Sequence, residues 1–110
     1  MAYDEKLADR VREALAHFPK VKEKKMFRGI TFMLNGKMGI SVGGDELMCR
    51  VGPEKNDEAL ERTGCRQMVH GGKAMKGFVF VSEEGYTSKK DFDYWIKLVL
   101  AFNKIAKAAR

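Results

Sequence analysis

Few side chains in this chain could do chemistry, and their spacing decides most of what they could do. His17 and His70 are its two histidines, and neither stands in a His-Glu-x-x-His pattern that would place two metal ligands on one helix face. His17 falls just before Phe18-Pro19, where a surface or capping role is expected rather than a ligand. Cys49 and Cys65 stand without Cys-x-x-Cys spacing or a Cys/His cluster, so they are expected as reduced thiols and not as a disulfide. Cys49 adjoins Arg50, a neighbour able to depress a thiol pKa. Its mid-strand position argues instead for a buried, inert thiol. Seven methionines could suit a soft metal, but Met33, Met38, Met48, Met68 and Met75 fall at packing positions in strands. No nucleophile elbow, dinucleotide fingerprint or phosphate loop occurs; Gly36-Lys37-Met38-Gly39 lacks the loop register. No catalytic residue, cofactor site or metal site is assigned, and the chain is expected not to be an enzyme. A small-ligand site, as a further alternative, would draw on Cys49, Arg50 or the Gly71-Gly72 turn.

The second kind of chemistry is charge. The net charge is +6 over 110 residues, and the one basic concentration is Lys20-Val21-Lys22-Glu23-Lys24-Lys25 with Arg28 behind it. Lys20, Lys22, Lys24, Lys25 and Arg28 are therefore the candidate nucleic-acid contacts, acting on phosphates. No helix-turn-helix supplies base contacts, so weak, non-specific binding is the most expected of them. The competing reading makes the run a solvated connection between two elements. Phe78-Val79-Phe80-Val81 superficially matches the aromatic strand of an RNA-recognition sheet. The order of elements differs from that fold, however, and the aromatics are expected in the core.

The elements that must position these residues follow from periodicity. Leu7, Val11, Ala14, Leu15 and Phe18 recur at helical spacing, with Asp4 as N-cap and Pro19 as terminator. Residues 26–34 are β-rich, and Asn35-Gly36 is a strong hairpin signal. On the return strand Met38, Ile40 and Val42 share one face, with Lys37, Gly39 and Ser41 on the other. Gly43-Gly44-Asp45 turns into a third strand carrying Leu47, Cys49 and Val51. Gly52-Pro53-Glu54 begins a short helix that Gly64 stops. A weak strand at 66–69 turns at Gly71-Gly72 into a stronger one at 75–81, with Phe78 and Phe80 on one face. Ser88, with Asp91 three residues on, opens the last helix. Its buried stripe is Phe92, Trp95, Ile96, Val99, Phe102 and Ala106. The expectation is an α+β fold of two layers in the order α-β-β-β-α-β-β-α, a mainly antiparallel sheet with helices on one face. Leu98 and Leu100 lie off the stripe; they are the candidate partner interface, with a homodimer as one form, unless the helix is sunk deep between sheet and first helix.

Length and composition fit this reading. The chain is expected to be one domain over residues 1–110, with 45% hydrophobic and 33% charged residues and two prolines. The opening residues lack a signal-peptide pattern, and no run approaches the length of a membrane span, so a cytoplasmic address is expected.

Several segments together resemble the TfoX (Sxy) N-terminal-domain family. They are Lys24-Lys25-Met26-Phe27-Arg28-Gly29-Ile30, Phe32-Met33-Leu34-Asn35-Gly36-Lys37-Met38, Met48-Cys49-Arg50-Val51-Gly52-Pro53 and residues 72–81. The resemblance runs nearly end to end. It implies the element order above in a secretion-chaperone-like architecture, and a bacterial protein of regulatory character. The best-known members are competence regulators acting with the cyclic-AMP receptor protein, so a protein partner, in or near the transcription machinery, is implied. They carry a second, C-terminal domain, whereas the sequence here ends at Arg110. The family commonly has Met-Phe-Gly-Gly where this chain has Met26-Phe27-Arg28-Gly29. No family catalytic residues carry over. The implied role is a non-enzymatic protein-interaction module of competence-type transcriptional regulation, with nucleic-acid binding as the alternative.

Overall fold

Local signals set the ends of the elements. The Asp4 carboxylate accepts from the amides of Lys6 at 2.9 Å and Leu7 at 3.2 Å, which starts α1 (Glu5–Ala14). The Ser88 hydroxyl accepts from the Asp91 amide at 3.1 Å and starts α3 (Lys89–Asn103). Asn35 and Gly36 both take positive φ, 54° and 77°, as a tight hairpin requires. The computed structural model describes residues 3–26 and 29–106. Between α1 and α3 lie β1 (Val21–Met26), β2 (Gly29–Leu34), β3 (Lys37–Gly43), β4 (Glu46–Arg50), α2 (Asn56–Leu60), β5 (Cys65–His70) and β6 (Lys73–Val81). The six strands form one antiparallel sheet in the order β1-β2-β3-β4-β6-β5. The fold is α+β with the expected order, and one strand, β1, is added ahead of the meander. Among the described residues, no helix is long and apolar enough to cross a membrane.

The register divides the sheet into two faces. Ile30, Val42, Leu47 and Val81 lie opposite one another across four strands, and Phe32, Ile40, Cys49 and Val79 form the next row. Both rows join one core with Leu7, Val11 and Leu15 of α1, Ala59 of α2, and Phe92, Trp95, Ile96 and Val99 of α3. This is the helix face. Trp95 is wholly buried and donates its indole N–H to the Gly85 carbonyl at 2.9 Å. Leu98 and Leu100 are half-buried and pack against this same core.

Two irregularities re-aim side chains. Phe32 pairs with Ile40 but Met33 pairs with Met38, so Gly39 is an extra residue in β3. The bulge corrects the expected alternation. Met38 turns to the face away from the helices, and Lys37 turns toward them, where its ammonium meets the Asn103 carbonyl at 2.6 Å. A larger bulge lies in β6, where Gln67 pairs with Val79 and Val69 with Ala74. Gly77 inside it has φ +96°, and its amide donates to the buried Asn56 side chain at 2.8 Å. The Gln67 amide closes the bulge by donating to the carbonyls of Met75 at 2.9 Å and Phe78 at 3.0 Å.

Candidate functional site

The basic run at residues 20–25 is not a loop: five of its residues belong to the edge strand β1. Little apolar burial holds it there. Val21 packs on the core, and Glu23 on the helix face receives both Arg12 Nε at 2.7 Å and an Arg12 terminal nitrogen at 2.8 Å. This bidentate pair draws the Glu23 carboxyl below its ordinary pKa, chiefly through the hydrogen bond from Arg12. Alternation then splits the lysines. Lys22 lies opposite Met33 and Lys24 opposite Thr31, on the face away from the helices, whereas Lys25 lies opposite Ile30 on the helix face. Lys20 precedes the strand, and Arg28 lies outside the described residues.

The face that Lys22 and Lys24 share is the open face of the sheet. One row crosses all six strands: Lys24, Thr31, Ser41, Met48, Phe80 and Arg66. Arg50 pairs with Phe78 one step along. Thr31 and Ser41 hydrogen-bond each other and are buried, as are Met38 and Met48, yet none of the four joins the core beneath the helices. Phe78, Phe80 and Met33 are half-buried around them. The expectation that the two phenylalanines belong to the core is thus corrected. Trp95, Phe92 and Phe32 occupy the space under the helices, where Val79 and Val81 fit beside them.

Each phenylalanine carries a guanidinium. Arg66 lies 4.7 Å from the Phe80 ring centre, and Arg50 lies 5.6 Å from Phe78 and 5.4 Å from Phe102. Glu46 holds Arg66 in a bidentate pair, which raises the Arg66 pKa. Burial lowers that of Arg50. The face away from the helices therefore carries Lys22, Lys24, Arg50 and Arg66 around two half-buried aromatic rings and a buried thioether centre, with Glu46 paired to Arg66. Sequence spacing shows that Phe78 and Phe80 share a face. It does not show that Arg50 and Arg66, from two other strands, join them.

The residues with redox or acid–base potential are placed elsewhere. Cys49 faces the helices, and complete burial pushes its thiol pKa up, away from the depression Arg50 could have caused, because Arg50 points to the other side of the strand. Cys65 is raised to about 11 by burial. His17 and His70 are exposed. Among the described residues, no three His, Cys, Asp or Glu side chains gather to hold a metal. A cleft of about 360 Å³ between α1 and α3 is lined by Arg10, Glu13, Lys89, Phe92 and Asp93, not by Cys49, Arg50 or the Gly71-Gly72 turn. In it Arg10 reaches the Tyr86 carbonyl at 3.0 Å and Lys89 pairs with Asp93 at 2.7 Å.

A helix-backed antiparallel sheet with a basic, aromatic outer surface defines a small α+β platform domain. The TfoX N-terminal domain family matches residues 13–103, most of the chain, and the chain belongs to that family. No curated protein and no solved structure shows significant similarity to this chain. The family-like segment around Gly29 has a steric reason. A Cβ there would come within 1.9 Å of the Val42 carbonyl oxygen, so strand pairing requires glycine at this position.

Proposed function

We propose that this domain is a non-enzymatic interaction module of competence-type transcriptional regulation, which works by presenting the open face of its sheet to a macromolecular partner. One observation carries the reading. Phe78, Phe80 and Met33, ringed by Lys22, Lys24, Arg50 and Arg66, lie on the side of the sheet opposite the helix-side core. Partly exposed apolar side chains rimmed by charge are what a recognition surface needs. Family membership supports the regulatory setting.

The test is transcript profiling in a naturally competent bacterium that lacks its own copy of the gene. Wild-type chain and a Lys22→Gln/Lys24→Gln variant are supplied in turn. Both lysines are exposed on an edge strand, so the variant folds as the parent does. The reading expects wild type to change DNA-uptake transcripts and the variant to lose most of that effect. Equal regulation by the two would contradict it.

A further inference from the structure

We infer that the open face binds single-stranded nucleic acid, its backbone on Lys22 and Lys24 and two unstacked bases on the Phe78–Arg50 and Phe80–Arg66 pairs. This rests on the reading of that face as the working surface and names its partner by chemistry.

The charge pattern asks for a polyanion. Lys22 and Lys24 are exposed and point the same way from β1, and Arg66 lies on the same face with Glu46 as its counter-charge. Phosphates supply salt-sensitive attraction of this kind. The aromatics ask for something flat. Phe78 and Phe80 sit two residues apart on one strand, about 7 Å by strand geometry, and each has a guanidinium within cation–π distance. A base can stack on a ring or on an arginine plane, but only if its own face is free. Duplex bases are stacked on each other, and among the described residues no helix stands on this side of the sheet to enter a groove. An acidic peptide would satisfy the lysines and leave the rings unused. From Lys24 on β1 to Phe80 on β6 is four strand spacings, about 19 Å, so a strand running across the sheet meets the lysines first and the rings after. The face makes no demand on the sugar. The Thr31 and Ser41 hydroxyls are buried and spent on each other, and Glu46 is held by Arg66. DNA and RNA single strands therefore bind alike.

Fluorescence anisotropy tests this with labelled oligothymidylate, oligouridylate and a duplex, each of about 15 units, a length that spans the usual site size. Titrations run at about 50 and 200 mM salt, where phosphate contacts separate from the rest. The expected result is tighter binding of both single strands than of duplex. Phe80→Ala weakens binding between about fivefold and a hundredfold, the value of one stacked base. Lys22→Gln/Lys24→Gln lowers the log–log salt slope by about 1.4. Lys24→Glu and Lys25→Glu change the net charge equally but sit on opposite faces, so only Lys24→Glu weakens binding strongly. The inference is overturned by duplex binding at least as tight as single strand, by equal effects of Lys24→Glu and Lys25→Glu, or by no binding at about 100 µM, the weak end of non-specific affinity. If binding is absent while the lysine variant still loses regulation in cells, this inference falls alone and the face takes a protein. If both fail, the functional reading falls with it.

Discussion

Asn56 is 1% exposed and closes the bulge that places Phe78 on the open face, so its loss should be felt in stability and in the site together. Its side-chain oxygen accepts from the Gly77 amide at 2.8 Å, and its nitrogen donates to the Gln67 side chain at 2.8 Å. Asn56→Ala leaves the buried Gly77 N–H without that acceptor, which costs about 1–3 kcal/mol, the desolvation penalty of one unmade bond. The Gln67 oxygen is only part-buried and adds less. Gly77 cannot relax easily, because its φ of +96° and the Val51 and Gly52 amides that donate to its carbonyl fix the bulge. With a urea m value of about 1–3 kcal/mol per molar, the midpoint should fall by about 1 M. Asn56→Asp separates geometry from hydrogen bonding. It keeps the acceptor for Gly77 but sets an oxygen against the Gln67 oxygen, and Gln67 cannot turn over without losing the Met75 and Phe78 carbonyls. It should therefore also destabilise. Equilibrium urea unfolding followed by circular dichroism measures both variants. Midpoints within error of wild type for both would refute the role given to this network.

Trp95→Ala should lower stability by about 3–5 kcal/mol, since the ring is wholly buried; an unchanged urea midpoint would contradict the placement of α3. A thiol reagent at pH 8 should modify Cys49 only as the chain unfolds and Cys65 slowly, with a rate that climbs toward pH 11; two fast thiols in the native protein would be incompatible with both positions. The Arg12–Glu23 pair depresses the folded pKa of Glu23, so its contribution is present above the unfolded carboxyl value of 4.5 and is lost as pH falls through the lower folded value. Both side chains are more than a third exposed, so the gap between wild type and Arg12→Gln should be at most about 1 kcal/mol at neutral pH and should vanish as pH falls through that lower value; a gap that persists in acid would contradict the linkage.

What was legible in the sequence was local. Asp4, Ser88 and Asn35-Gly36 act within three or four residues, and each sits where its chemistry places it. The heptad-like stripe of Phe92, Trp95, Ile96 and Val99 points at the core for the same reason. The edge strand β1 was not legible as a strand. It buries little besides Val21, and it is held by pairing with β2 and by Arg12, eleven residues before Glu23. The site was half legible. That Phe78 and Phe80 share a face follows from alternation, but which face depends on the volume left under the helices. The bulges lay beyond reach because the register with a partner strand decides whether Gly39 is counted, and Asn56 reaches Gly77 across twenty-one residues.

Backbone amide NMR of the wild-type chain, titrated with a short single-stranded oligonucleotide, tests the central claim most directly. Shifts concentrated at Lys22, Lys24, Met48, Arg50, Arg66, Phe78 and Phe80, with α1 and α3 unmoved, are the predicted result. Shifts confined to the helix side, or spread evenly over both faces, would contradict the assignment of the open sheet face as the surface that works.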